Sequence, residues 1–83
     1  MYAVEFLRSA ARVLSKLDPR VRRRIARRID RLMEDPRGDA VKLRGADDVW
    51  RARAGDYRIL YQVEDDRLLI LVIRIGHRRD VYR

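Results

Sequence analysis

Arg51 and Arg53 stand two residues apart in the segment Val49–Ala54, and Arg58 follows across Gly55-Asp56. Residues two apart on a strand point to the same face. The Gly-Asp turn folds the next strand back beside the first, so the three guanidinium groups are expected on one local surface. Arg78 and Tyr82 come after the apolar run Leu68–Ile75, whose C-terminal extension can return over the first two strands. A guanidinium is a planar fork that holds phosphate oxygens through paired, charge-assisted hydrogen bonds and never loses its charge under ordinary conditions. Such a cluster suits the neutralisation of phosphate charge. Arginines that merely keep a sheet edge soluble would give the same pattern.

The other common catalytic devices are missing from the sequence. It has no cysteine, which removes disulfides, thiolate metal sites and a thiol nucleophile, and His77 is the single histidine. There is no glycine-rich phosphate loop and no serine–histidine–acid set. Carboxylates cluster at Asp47-Asp48 and Glu64-Asp65-Asp66, in expected loops where aspartate commonly serves solvated turns. Chemistry at the arginine surface is therefore expected to need no metal, no cofactor and no carboxylate base.

Several elements must position these residues. Tyr2, Val4 and Phe6 alternate with Ala3 and Glu5 as in a strand. Ala10, Val13, Leu14 and Leu17 form one stripe of a short helix. Asp18-Pro19 then supplies an N-cap and a first-turn proline for a second helix from Pro19 to Glu34. Its apolar stripe is Val21, Ile25, Ile29, Leu32 and Met33, with Ala26 beside it. The opposite face is read as Arg22, Arg23, Arg24, Arg27, Arg28 and Arg31. Asp35-Pro36-Arg37-Gly38 ends the helix.

Strands are predicted over Val49–Ala54, Tyr57–Val63 and Leu68–Ile75, with turns at Gly55-Asp56 and Asp65-Asp66. Gly76 is expected to break the third, and Asp80–Arg83 to add a short edge segment. Because the third strand is apolar in both phases, it should lie inside the sheet. The resulting order, β-α-α-β-β-β, predicts a single α+β domain over residues 1–83: an antiparallel sheet packed on one face by an N-terminal helical hairpin.

Lys and Arg total 21 against 13 acidic residues, a net charge of +8, and all but Lys16 and Lys42 of the cations are arginine. That balance points to a polyanionic partner: RNA, DNA or an acidic protein. No apolar run approaches the roughly 20 residues of a membrane span, and the first residues lack the pattern of a secretion signal. A soluble, cytoplasmic protein without membrane attachment is expected.

Four runs carry a resemblance: Lys42-Leu43-Arg44-Gly45, Trp50-Arg51-Ala52-Arg53, Gly55-Asp56-Tyr57-Arg58-Ile59-Leu60-Tyr61, and Ile75-Gly76-His77-Arg78-Arg79-Asp80-Val81-Tyr82. In this order, with the opening strand and the helix end Leu14–Asp18, the chain resembles the RelE/ParE toxin superfamily along essentially its whole length. Within it, Arg51, Arg53, Arg58, Arg78 and the terminal Tyr82 are similar to the ribonuclease branch. The resemblance implies a toxin of a type II toxin–antitoxin system that cleaves messenger RNA on the ribosome and inhibits translation. Its partners would be an acidic antitoxin, in a hetero-oligomer, and the ribosome with its mRNA.

Cleavage by the 2′-hydroxyl requires that this group lose a proton, that the phosphorane be stabilised and that the 5′-oxygen be protonated. On this reading Arg53 and Arg58 face the transition-state charge, Arg78 steers the leaving group and Tyr82 activates the 2′-hydroxyl. Arg51 and His77 bind substrate, and Arg23, Arg24, Arg27, Arg28 and Arg31 grip ribosomal RNA. The chain departs from the best-known ribonucleases of the family, which have lysines where Arg51 and Arg53 stand. Arginine does not act as a base, which leaves that role to Tyr82. Two further readings share the fold: inhibition of DNA gyrase, as in the ParE branch, and a non-catalytic nucleic-acid-binding module.

Overall fold

The computed structural model describes residues 1–45 and 48–78. In chain order they form β1 (Ala3–Phe6), α1 (Arg8–Ser15), α2 (Pro19–Glu34), β2 (Val41–Lys42), β3 (Val49–Ala54), β4 (Tyr57–Glu64) and β5 (Leu69–His77). The limits of α2 fall where the side chains set them. The Asp18 carboxylate accepts from the Arg20 N–H at 2.8 Å, Pro19 occupies the first turn, and the helix stops before Pro36. The eight-residue α1 has no side-chain cap, so it depends on packing: Ala10 is buried, and Leu14 lies against the core.

The strands form one sheet in the order β1-β5-β4-β3-β2. β3, β4 and β5 are a meander of antiparallel pairs, and β2 adds a short antiparallel edge. β1 runs parallel to β5, with Ala3 opposite Leu69. The expected antiparallel sheet is thus mixed at one edge. A tight turn enforces antiparallel pairing, whereas β1 is joined to the rest through the helical hairpin.

The hairpin covers one face of the sheet. Ile25, Ile29 and Leu32 of α2 and Ala10 of α1 meet Ala52, Ala54, Ile59, Tyr61, Val63, Ile70, Val72 and Ile75. The buried Tyr61 hydroxyl donates to the Pro36 carbonyl, and burial pushes its phenol up to about 12.

β5 departs from expectation in three ways. Leu68, expected in the strand, instead closes a tight helical turn over Asp65–Arg67 with φ 47°. The strand also continues through Gly76 to His77, because Gly76 pairs with Arg58 and His77 with Tyr57. Finally, Leu60 stands opposite Arg74 but Tyr61 opposite Val72, so Ile73 is an extra residue in a bulge. The buried phase therefore changes from Ile70 and Val72 to Ile75. A strand apolar in both phases needs only one helix-covered face here, and Arg74 emerges on the other.

Candidate active site

The face of the sheet turned away from the helices carries the arginines. On β3, Ala52 and Ala54 are buried against the helices, so Arg51 and Arg53 point outward. Arg53 stands directly opposite Arg58 on β4, and Leu60 lies between Arg51 on one side and Arg74 on the other. Arg51, Arg53 and Arg58 thus share the surface expected of them. Arg74 joins them through the bulge, whereas regular alternation along Leu68–Ile75 would place it in phase with Ile70 and Val72, on the helix side. The bulge leaves no mark in the residue types of β5, so the sequence does not show this position.

The β3–β4 turn fixes this group. Gly55 has φ +63°, a left-handed conformation suited to the first central residue of a two-residue hairpin. Arg53 Nε donates to the Gly55 carbonyl at 3.2 Å, which holds its guanidinium near the turn. The Arg78 backbone N–H donates to the Asp56 carbonyl at 2.8 Å, bringing the end of β5 to the same corner. Arg58 is half-buried, and its Nη1 is shielded from solvent without a hydrogen-bond partner among the described residues. Its cross-strand neighbour Gly76 adds no side chain over it. A desolvated guanidinium nitrogen without a partner among the described residues has a donor that an anionic oxygen brought by a ligand would satisfy.

Two expected site residues stand elsewhere. His77 packs edge-on against Tyr57, with ring centroids 5.6 Å apart. Both follow the phase of Ile59 and Ile75, so the imidazole lies on the helix side of the sheet, away from the arginine face. Arg28 also departs from expectation: the sequence pattern groups it with the exposed arginines of α2, yet its side chain is only 6% exposed. Arg28 lies three residues after Ile25 and four before Leu32, within the buried stripe itself. Its Nε donates to the Arg53 carbonyl at 2.9 Å, and its Nη2 pairs with Asp39. That pairing holds the Asp39 carboxyl below its ordinary range.

The other α2 arginines expected to bind RNA, Arg23, Arg24, Arg27 and Arg31, are exposed. Arg24 reaches the β3–β4 turn: a Cβ on Gly55 would meet its Nη1 at 2.6 Å. Tyr82 lies outside the described residues, as does Asp80–Arg83, the expected edge segment.

Two of the carboxylates read as solvated turn residues are tied into the far end of the sheet. Arg37 pairs with Asp48 and, at 2.9 Å, with Asp65, and it lies 5.7 Å from the centroid of the Trp50 ring. Trp50 Nε1 donates to Asp48 at 2.7 Å, and the Tyr2 hydroxyl to Asp65 at 2.6 Å. The Trp50 and Arg37 bonds keep Asp48 below its ordinary range, and Arg37 with Tyr2 does the same for Asp65. Their hydrogen bonds are thus spent on structure, away from the arginine corner.

Comparison with known proteins agrees with this architecture. Residues 4–82 match the family described as the ParE toxin of the type II toxin–antitoxin system. The mRNA interferase toxin RelE of Escherichia coli is 34% identical over 79 residues, covering 93% of this chain and 83% of that one. The toxin RelG of Mycobacterium tuberculosis is 33% identical, with 99% and 97% of the two chains covered. The crystal structure of isolated E. coli RelE superposes with a TM-score of 0.85 at 32% identity, over 99% of this chain and 92% of that one. A RelBE toxin–antitoxin complex from M. tuberculosis gives 0.84 at 32% identity, over 95% and 93%. The chain belongs to the RelE/ParE family of type II toxins, on its RelE branch.

Proposed function

We propose that this protein is the toxin of a type II toxin–antitoxin pair and acts in the cytoplasm as an mRNA endoribonuclease on the ribosome. The observation that carries this reading is the arginine face, with Arg53 and Arg58 opposed across one ladder rung and Arg58 Nη1 desolvated and without a partner among the described residues. The 2′-oxygen of one nucleotide attacks the adjacent phosphorus, and the bond to the 5′-oxygen breaks. The products are a cyclic 2′,3′-phosphate and a free 5′-hydroxyl.

Arg53 and Arg58 neutralise the two nonbridging oxygens as charge builds there. Arg51 and Arg74 hold the neighbouring phosphates, and Arg78 steadies the charge on the leaving 5′-oxygen until a water molecule protonates it. Tyr82 takes the 2′-proton. A phenol ordinarily titrates near about pH 10, so this role requires cations close enough to favour the phenolate. The exposed Arg23, Arg27 and Arg31 grip ribosomal RNA by displacing counterions. An acidic antitoxin neutralises the same positive surfaces in a toxin–antitoxin complex.

Brief expression in cells followed by mapping of message 5′ ends tests this function. Cuts within translated codons, lost in an Arg58→Ala, Tyr82→Phe variant, are expected. Intact messages with growth arrest and DNA damage would instead favour gyrase inhibition on the same fold.

A further inference from the structure

β2 ends too soon to finish the sheet beside the site. It pairs Val41 with Arg51 and Lys42 with Trp50, so the same register continued backward would set Asp39 opposite Arg53. The strand does not extend there. A backbone carbonyl left at such an edge must find another donor or face water. At Arg53 the donor comes from α2. Arg28 Nε bonds the Arg53 carbonyl at 2.9 Å, while Nη2 of the same guanidinium takes the Asp39 carboxylate. One side chain thus bridges the two residues that the missing rung would have joined. One turn earlier on α2, Arg24 lies against Gly55 of the adjoining turn.

Burying an arginine is costly unless its donors are met, and neighbouring positions of the stripe are aliphatic. The guanidinium has two acceptors, the Asp39 carboxylate and the backbone carbonyl of Arg53, the residue facing Arg58. Its plane offers both bonds in one fixed geometry, so it restrains the strand end more tightly than a flexible ammonium would. The Arg53 side chain leaves the same residue toward the opposite face, where Arg58 is its cross-strand neighbour. A shift in the strand end therefore changes how the two arginines are placed relative to one another.

We infer that Arg28 is a positioning residue for the cleavage site: it completes the sheet edge at the Arg53 carbonyl and thereby sets Arg53 against Arg58. The inference rests on the ribonuclease reading for its catalytic readout, and on the fold alone for its structural one.

The experiment compares wild type, Arg28→Met, Arg53→Ala and the double variant in single-turnover cleavage on ribosomes programmed with a defined message. Thermal melting and amide hydrogen exchange are followed on the same proteins. Arg28→Met is expected to lower the saturating rate roughly 10- to 100-fold, with the half-saturating concentration nearly unchanged. Arg28→Lys, which retains the charge but cannot span both acceptors in the same way, recovers part of the rate. The double variant is expected to be no slower than Arg53→Ala alone, because Arg28 acts through Arg53. Losses that multiply, or that follow the melting temperature, would make Arg28 a stabilising residue only and overturn the inference.

If Arg28→Met does not fold, Asp39→Ala probes the link from its exposed end. A partial loss of rate that vanishes in the Arg53→Ala background supports positioning, and an unchanged rate overturns it. Amide exchange across Arg53–Tyr57 should quicken in either variant whether or not the wild type cuts RNA. A wild type that leaves the message intact would overturn the ribonuclease reading, while unchanged exchange would overturn the positioning role.

Discussion

Replacing Arg58 by Met should move stability and activity in opposite directions. The buried Nη1 has no partner among the described residues, and an unsatisfied buried donor costs about 1–3 kcal/mol. Methionine keeps most of the aliphatic stem that packs in the sheet and removes the stranded nitrogen. It also removes one of the like charges that Arg51, Arg53 and Arg74 crowd onto the face. Taking the lower end of that range, because Arg58 is only partly buried, the variant should gain about 1 kcal/mol. For a domain of this size that raises the melting temperature by roughly 4–8 °C.

Cleavage should fall by about 10²–10³-fold, the usual cost of deleting one donor aimed at transition-state charge. Thermal unfolding at low ionic strength, followed by circular dichroism, gives the first number, and the ribosome cleavage assay gives the second. Added inorganic phosphate should raise the wild-type melting temperature more than that of the variant, since it occupies the vacant donor only in the wild type. A melting temperature that falls would show that Arg58 stabilises the fold and that its guanidinium is not held in reserve. Full activity in a stabilised variant would remove Arg58 from the chemistry.

Other perturbations test the frame around the site. Gly55→Ala places a side chain at φ +63° against Arg24, and should cost about 1–2 kcal/mol of stability in urea melts. Tyr61→Phe leaves the buried Pro36 carbonyl without its donor and should cost about 1–3 kcal/mol by the same measurement. Because the folded Tyr61 phenol titrates at about 12, above its unfolded value of about 10, its contribution is complete below the latter and lost as pH rises toward the former. Trp50 and Arg37 hold Asp48 low, and Arg37 and Tyr2 hold Asp65 low, so their contribution is complete above the unfolded carboxyl value and fades as pH falls through the native one. Arg37→Met should flatten part of that acid limb in melts between about pH 2 and about pH 6. Arg23→Ala with Arg27→Ala should weaken ribosome binding and make its salt dependence shallower, with little change in melting temperature.

The sequence announces its local chemistry more clearly than its long-range geometry. Asp18, Pro19 and Pro36 mark the ends of α2 because capping and proline sterics act over a few residues. The Gly55-Asp56 turn and two-residue alternation bring Arg51, Arg53 and Arg58 together for the same reason. The direction of β1 was not legible, since nothing in Ala3–Phe6 records which way a distant strand runs. The bulge at Ile73 was equally silent, and it hid Arg74 among apolar neighbours. Arg28 could have been found. Its spacing from Ile25 and Leu32 places it on the buried stripe, but residue type outweighed position. Gly76 signals a strand end in the sequence, but β5 continues through it, and continued alternation turns the His77 imidazole to the helix side.

The pairing of β1 with β5 also has a consequence in time. Residue 3 lies beside residue 69, so β1 leaves the ribosome long before β5, its only sheet neighbour among the described strands, is made. The helical hairpin and the β3–β4 hairpin have their contacts near at hand and form early. Joining the outer edge requires closing residues 3–69 into one loop, a slow step paid for in entropy before its contacts form. The arginine corner needs β3, β4 and the end of β5 in register, so it takes shape only once β5 has been made. Until then a nascent chain carries these charges on an unfinished frame.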